Sequence, residues 1–221
     1  MKTRAEIKKD AKRKLNAFWI VPVITVLVVY VLEALIIGML NDSTLSSIFQ
    51  VVITTIASVF TTTLFLNIAK NDDFDQVKFS WMKTSWMKVL KCIVYTLLLS
   101  LATTLIQYVA IYSGVLLSFV LGICITVIEV YLSFSLLVIL DTDAPIIDAA
   151  KQSINLVQGN FWNIIVLGLS FIGWFILGIL PLGLGLLWVL PYTGITFANY
   201  YLELKLYKPM IYVYLFILKY I

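Results

Sequence analysis

Histidine is absent from the 221-residue chain, and only 13% of its residues are charged. The lack of histidine excludes Ser–His and Cys–His nucleophile pairs, HExxH zinc sites and histidine proton shuttles. A Gly-rich phosphate loop followed by lysine is also missing, so the chain lacks the common motif for nucleotide hydrolysis. We therefore expect a protein without enzymatic activity, catalytic residues, metal site or cofactor.

Cysteine is scarce as well, since Cys92 and Cys124 are the two in the chain. Each lies in an apolar segment without a second cysteine nearby, so neither a disulfide framework nor a metal site is indicated. We expect both thiols to be small packing side chains.

Apolar residues make up 62% of the chain, and the mean hydropathy is +1.00. These values predict an all-α, polytopic membrane protein, since soluble domains are roughly half apolar and a quarter charged. Windows of about twenty apolar residues, the length that crosses a bilayer core, recur along the chain. The predicted spans are 17–40, 46–69, 92–112, 115–140, 161–180 and 186–204. Short and long connections alternate, so these six transmembrane helices form one membrane domain, 17–204, of three hairpins.

The basic residues all lie outside the predicted spans. The sixteen lysines and arginines fall in the segments 1–16, 70–91, 141–160 and 205–221. Because cytoplasmic loops carry an excess of lysine and arginine, this distribution predicts a multi-pass protein whose N- and C-termini are both cytoplasmic. We expect 1–16 to be a polybasic cytoplasmic helix and 205–221 an apolar tail on the same side.

Each predicted hairpin follows a segment with the apolar spacing of an amphipathic helix. These segments are 1–16, 77–91 and 144–158, and we expect each to lie flat at the inner membrane surface. Their apolar stripes are Ile7, Ala11, Leu15 and Phe18; Phe79, Met82, Trp86 and Leu90; and Ile146, Ala150, Ile154 and Val157. In the third segment Asp143 is the expected N-cap, Pro145 suits the first turn and Gly159 is the C-terminal stop.

Basic side chains on the first two amphipathic segments can contact lipid headgroups. Each gains up to about 1 kcal/mol near an anionic inner leaflet. The predicted lipid contacts are Lys8, Lys9, Lys12, Arg13, Lys88 and Lys91. Membrane lipids are therefore the expected partner, and no nucleic-acid partner is expected.

Three polar residues fall inside the predicted spans: Glu33, Gln107 and Glu129. A charged side chain at the bilayer centre costs from about 3 to more than 10 kcal/mol, so it needs a partner or water. Each glutamate is either a hydrogen-bonded packing residue or part of a site for a cation, a proton or a basic peptide. For Glu129, halfway along its span, we expect a buried, neutral carboxyl, because no basic residue lies in any span.

Gly194 and Ala198 form a small-xxx-small pair in the sixth predicted span. Small residues four positions apart let two helix backbones approach closely in a membrane. We expect this pair to mark a helix packing contact.

Two blocks of the sequence resemble a known family. They are RAEIKKDAKRKLNAFW and GNFWNIIVLGLSFIGWFILGILPLGLGLLWVLPYTGITFANYYLEL, and the second carries Trp162, Trp174, Gly183, Gly185, Trp188, Pro191, Tyr192 and Tyr200 in the order that the family shows. The family comprises integral membrane proteins, mainly of Gram-positive bacteria, catalogued as domain of unknown function 975. The resemblance covers residues 3–205 and is weak in the middle. It implies a bacterial plasma-membrane protein with six spans and without an established activity.

These observations predict a non-enzymatic component of the plasma membrane, either accessory to another protein or associated with transport. One alternative is a small transporter or channel that uses an intramembrane carboxylate. Another is an immunity-type protein that protects against a membrane-active peptide. The candidates for a partner besides lipid are accordingly another membrane protein, a transporter ATPase or a peptide.

Overall fold

The computed structural model describes the backbone of residues 1–39, 44–71 and 77–220. The all-α prediction is confirmed, because the described residues form helices and turns without a strand. The helices are α1 (Arg4–Ala17), α2 (Ile20–Met39), α3 (Thr44–Lys70), α4 (Trp86–Tyr112), α5 (Val115–Leu132), α6 (Ser135–Thr142), α7 (Ile146–Val157), α8 (Phe161–Leu169), α9 (Ile172–Ile179) and α10 (Leu186–Tyr220). A 3-10 turn, Phe79–Met82, lies between α3 and α4.

Within the described residues, four helical segments are long and apolar enough to cross a membrane. They are Ile48–Lys70, Trp86–Tyr112, Val115–Thr142 and Phe161–Ile179. Helices α1 and α2 would supply a fifth if the pair counts as one span, although it is bent by 89° between Ala17 and Ile20. The sixth predicted span lies in α10 and is not among the candidates. The chain is thus compatible with a membrane protein, while the six-span arrangement is not confirmed.

The chain divides into two compact units. The terminal unit consists of Met1–Val28, Thr61–Lys83 and Trp162–Ile221, and the central unit of Val29–Phe60 and Thr84–Phe161. The terminal unit holds α1, α9, α10 and most of α8, whereas α4 to α7 belong to the central unit.

Helix α1 forms the centre of the terminal unit. Its start is fixed by a capping box, in which Thr3 and Glu6 each accept a hydrogen bond from the other's backbone N–H. The predicted stripe of Ile7, Ala11 and Leu15 is buried. Ala11 and Leu15 belong to an apolar cluster with residues of α2, α3 and α10, namely Val26, Leu64, Phe65, Ile68 and Ile195.

Helix α1 runs antiparallel along α10. The Lys2 backbone N donates to Glu203 Oε1 at 2.6 Å, and at the other end Trp19 stacks on Trp188 with ring centroids 5.7 Å apart. The stripe that we expected to face lipid is therefore covered by protein. Phe18, its fourth expected member, is the C-cap beyond the end of the helix and is only half-buried.

In the central unit, α4 and α5 form an antiparallel hairpin. Its turn uses Gly114 at φ +79°, a backbone conformation that favours glycine. Beside the turn Ser118 Oγ donates to Ala110 O at 2.5 Å, and farther along the pair Tyr95 OH donates to Leu132 O at 3.3 Å.

The prediction of a second amphipathic helix over 77–91 is wrong. The chain forms the short 3-10 turn, becomes extended at Lys83, and begins α4 at Trp86. The break occurs where Ser85 caps α4, since its hydroxyl accepts from the Met87 N–H at 3.3 Å. Among the residues of the predicted stripe, Phe79, Trp86 and Leu90 are all exposed.

The third amphipathic segment does contain a helix, α7, but its cap and buried face were predicted wrongly. Pro145 is the N-cap, and Asp143 instead ends α6 in the left-handed conformation at φ +58°. The buried residues are Ala149, Ser153 and Val157, because small side chains allow close packing against the neighbouring helices. Of the predicted stripe only Val157 is buried; Ile146 and Ala150 are half-buried and Ile154 is exposed. Gly159, at φ +84°, follows the end of α7 as expected for a stop.

The backbone is helical across the boundary predicted before the tail 205–221, because α10 covers Leu186–Tyr220. Alternating apolar and polar residues at 201–208 do not interrupt a helical backbone. The side chains beyond Lys208, including Lys219, lie outside the described residues, and so does the predicted surface position of the tail.

Candidate functional site

The three polar residues of the predicted spans do not form a common site. Glu129 on α5 and Gln107 on α4 are exposed, and Glu33 on α2 is half-exposed. None of the described hydrogen bonds or ion pairs joins any two of them. Contrary to the expected burial, the neighbouring helices leave Glu129 exposed, although Ile125, one turn before it on α5, is buried.

Glu129 lies on an open face of α5. Gly122, Thr126 and Glu129 are spaced i, i+4 and i+7, which places them on one side of the helix. A Cβ added at Gly122 would meet nothing within 4 Å, and Thr126 Oγ1 is satisfied by Gly122 O at 3.0 Å. Within the described ranges the Glu129 carboxylate has neither a hydrogen bond nor an ion pair. A candidate span thus presents an unpartnered carboxylate above a shallow, small-residue surface, which we call the Glu129 face.

Two lysines of α1 bind backbone carbonyls at helix ends. Lys14 is only 3% exposed, and its Nζ donates to Ala69 O, near the end of α3, at 2.6 Å. Lys8 Nζ donates to the carbonyl and hydroxyl oxygens of Ser170 at 3.2 and 3.0 Å and lies 4.1 Å from the centre of the Phe171 ring. Burial lowers the pKa of Lys8. Cations suit these positions because the last carbonyls of a helix carry partial negative charge.

Lys88 and Lys91 bind the end of α6 in the same way. Lys88 Nζ donates to Leu140 O at 2.6 Å, and Lys91 Nζ donates to Asp143 O at 2.8 Å and to its Oδ1 at 2.9 Å. The hydrogen bond from Lys91 lowers the pKa of Asp143. Lys8, Lys88 and Lys91, three of the six residues expected to contact lipid, thus have amines bound to protein.

The other three expected lipid contacts are exposed on α1. Arg13 pairs with Asp10 at 2.6 Å, whereas Lys9 and Lys12 make no hydrogen bond or ion pair with another described residue. Asp10 also lies 3.6 Å from Lys14 Nζ and accepts from Asn199 Nδ2 at 3.4 Å. The Asp10 carboxylate is therefore compensated by Arg13, Lys14 and Asn199, and Lys9 and Lys12 leave positive charge on the exposed side of α1.

A cavity of about 170 Å³ opens beside Lys12, and we call it the aromatic slot. Its lining consists of Lys12, Leu15 and Asn16 from α1, Trp174 from α9, and Trp188, Val189 and Tyr192 from α10. Trp174 and Tyr192 meet edge to face at 6.1 Å, and both indoles are exposed, Trp174 by 43% and Trp188 by 47%. The sequence marked these rings only as part of the family likeness. The spacing of Trp188 and Tyr192, one helical turn apart, was the signal that could have grouped them.

Gly194 and Ala198 lie inside the terminal unit. A Cβ added at Gly194 would lie 2.5 Å from Phe65 Cε2, which is closer than side chains can approach, and Ala198 is fully buried. The Phe65 ring of α3 thus occupies the space that a side chain at position 194 would need. Among the described residues there is no cluster of three or more histidine, cysteine, aspartate or glutamate side chains that could hold a metal ion.

Taken together, the described helices define an all-helical protein with several segments long and apolar enough to cross a membrane, a basic N-terminal helix and an exposed carboxylate on a candidate span. The family described as "Protein of unknown function (DUF975)" matches residues 109–208. The predicted resemblance to that family is confirmed over this range, which includes the end of α4, all of α5 to α9, and the first part of α10. No curated protein sequence and no solved structure matches the chain.

Proposed function

We propose that the protein is a non-enzymatic integral membrane protein of the bacterial plasma membrane that acts as an accessory component beside another membrane protein. The observation that carries this proposal is the Glu129 face. A carboxylate on the surface of a candidate span is costly in lipid, by about 3 to more than 10 kcal/mol, unless a neighbour satisfies it. A partner helix removes part of that cost.

The chemistry of the Glu129 face favours a transmembrane helix as the partner. Gly122 and Thr126 offer little bulk, so a second backbone can approach closely and bring a donor or a cation to the carboxylate. A second copy of the chain lacks a suitable cation, since no lysine or arginine lies in the predicted spans. A helix of a transporter subunit with a basic or hydrogen-bonding side chain at this depth meets the requirement.

The transporter alternative has less support. A path for protons or cations needs polar groups that follow one another through the membrane. Gln107 and Glu33 do not converge on Glu129 among the described contacts, so the residues from which such a path was expected stay apart. The immunity alternative differs in the partner only, because a basic membrane-active peptide would meet the same carboxylate.

Cross-linking at Thr126 tests the accessory role. A photoreactive residue placed there in cells should give one discrete adduct with a membrane protein, which persists with Glu129→Gln and is lost with Glu129→Leu. The leucine keeps the volume but cannot bond the partner. Gln107→Leu, an exposed polar-to-leucine change on α4, is the matched control and should leave the adduct unchanged.

Purified protein in liposomes separates the alternatives. We expect no proton or cation flux from wild type or from Glu129→Gln. A flux that wild type shows and a well-folded Glu129→Gln protein has lost would establish the transporter instead. An adduct with a small secreted peptide in place of a membrane protein would favour the immunity role.

For the topology we propose the six-span arrangement with both termini cytoplasmic. The antiparallel contacts of α4 with α5 and of α9 with α10 support hairpins, and the basic residues support the orientation. Cysteines introduced at Ser113 and Gly183 should react with an impermeant reagent outside intact cells, and those at Ser80 and Gln152 should not.

Gly183 is the deciding position. The exposed lysines of α1 favour the membrane surface, but α1 packs lengthwise against α10, which is predicted to cross the bilayer. If position 183 reacts only from the cytoplasmic side, α10 does not cross the bilayer, and the count of six spans is wrong.

A further inference from the structure

We propose that the aromatic slot binds the headgroup of an anionic phospholipid, with the phosphate at Lys12 and Asn16 and the glycerol carbons against the indole rings. This site is separate from the Glu129 face and does not depend on the accessory role. Binding at this slot also differs from the general attraction between a basic helix and a charged leaflet, because it uses one lysine and a defined set of aromatic rings.

The electrostatic argument starts from the free amine of Lys12. Lys8 and Lys14 are bound to helix ends, and Arg13 is paired with Asp10. Arg4, Lys9 and Lys12 are the cations of α1 without a described hydrogen bond or ion pair, and of these three only Lys12 lines the slot. The Asn16 amide, one turn further, adds neutral hydrogen-bonding capacity. An anion at the slot is thus matched by an uncompensated positive charge.

The size and lining of the slot identify the source of the anion. A volume of about 170 Å³ corresponds to roughly six water molecules, which suits a phosphodiester with a few attached carbons. Trp174, Trp188 and Tyr192 present ring surfaces beside the amine, and such rings favour the boundary between lipid headgroups and acyl chains. Free phosphate would leave these rings uncovered, whereas a phospholipid covers them.

The slot is also rigid enough to act as a site. Lys8 fixes α1 against Ser170 beside α9, Lys14 fixes it to the end of α3, and Glu203 of α10 holds the backbone at Lys2. Because α1 is anchored on both sides of Lys12, the backbone that carries Lys12 is held beside the rings without a ligand. Such preorganisation lowers the entropic cost of binding.

Titration with brominated lipids tests the proposal. Full-length protein in detergent is titrated with brominated phosphatidylglycerol or phosphatidylcholine, and quenching of tryptophan fluorescence reports binding near the indoles. Wild type should prefer phosphatidylglycerol, and Lys12→Gln should weaken its binding about fivefold, the effect of losing one charge contact of about 1 kcal/mol. Lys9→Gln is the matched control, because Lys9 is an exposed lysine of the same helix that does not line the slot. Since a phosphate in the slot makes no contact with Lys9, this variant should change binding less than about twofold.

Three outcomes would overturn the proposal. Equal losses for Lys9→Gln and Lys12→Gln would show a diffuse surface attraction. Competition by inorganic phosphate as effective as that by unlabelled phosphatidylglycerol would show a free-anion site. Equal quenching by both brominated lipids in wild type would show that the headgroup charge is not recognised. Unchanged circular dichroism of both variants, which alter exposed side chains, confirms that folding is not the cause.

Discussion

The two units each contain a helix interrupted at the dipeptide Ser-Phe, and they stabilise the interruption differently. In the central unit α5 ends before Ser133–Phe134, and in the terminal unit α8 ends before Ser170–Phe171; both phenylalanines are buried. At the first break Phe134 N donates to Ser153 Oγ at 3.1 Å, and Ser153 Oγ donates to Tyr131 O at 2.8 Å. At the second, the partner is the Lys8 amine on the Ser170 carbonyl.

The difference shows what each environment allows. Ser153 is fully buried, so a neutral hydroxyl that both accepts and donates satisfies two backbone groups without bringing a charge inside. Ser170 is exposed, so a cation can bind its carbonyl and stay partly in contact with water or headgroups. The same local interruption is thus neutral and internal in one unit, and ionic and peripheral in the other.

The largest loss of stability is expected from Ser153→Ala. The change removes the buried hydroxyl that bonds both the Phe134 N–H and the Tyr131 carbonyl, and the loss of such a buried hydrogen bond costs about 1–3 kcal/mol. The thermal unfolding midpoint in detergent should fall clearly. Ser133→Ala is the control, because that exposed hydroxyl bonds only its own helix at Val130 O, and it should change the midpoint little. Equal effects of the two changes would contradict the importance of the Ser153 bridge.

A smaller effect is expected from Lys8→Met. The methionine keeps much of the apolar stem but removes the amine from Ser170 O and from the Phe171 ring, for a loss of about 1 kcal/mol. The unfolding midpoint should fall less than for Ser153→Ala, and the loss should shrink in high salt because the contact is ionic and partly exposed. Lys9→Met provides the matched exposed lysine. A salt-independent loss would show that Lys8 acts through packing alone.

The smallest effect is expected at the end of α6, where Lys91 meets Asp143. The pKa of Asp143 is lowered from its ordinary value of 3.8, so the folded state favours the ionised carboxylate. Its contribution to stability is therefore complete above that ordinary value and is lost as the pH falls through the lowered pKa. The fall in unfolding midpoint on acidification should be slightly less steep for Asp143→Asn than for wild type. If the unfolding midpoints of the two proteins depend on pH in the same way, the Lys91–Asp143 pair does not contribute to stability.

Sequence periodicity predicted the buried face of α1, but neither what covers that face nor the buried faces of the other two amphipathic segments. The spacing of Ile7, Ala11 and Leu15 correctly identified one face of a helix, but an apolar stripe looks the same whether lipid or α10 covers it. The sequence was equally ambiguous about what each basic residue contacts. A lysine beside a membrane and a lysine that binds a helix end, such as Lys88, both occur in a charged segment next to an apolar one.

The helix interruptions and the candidate sites depend on contacts that sequence patterns do not encode. Neither Ser-Phe break contains proline or glycine, and both residues are tolerated in helices, so nothing local indicates that α5 or α8 ends there. The exposure of Glu129 depends on how few helices surround α5. The aromatic slot brings together residues 12 and 188, which no short-range spacing relates.

Helix α1 is synthesised long before α10, the helix that packs on it. Residue 17 leaves the ribosome about 190 residues before Glu203 does, which at about 5–20 residues per second is roughly 10 to 40 s. During that interval Ile7, Ala11 and Leu15 have no α10 to cover them, so the new chain carries an uncovered, basic amphipathic helix. A ribosome-stalled chain that ends before Leu186 should accordingly be cut by trypsin after Lys14, whereas the 221-residue chain, with Lys14 buried, should resist cleavage at that residue.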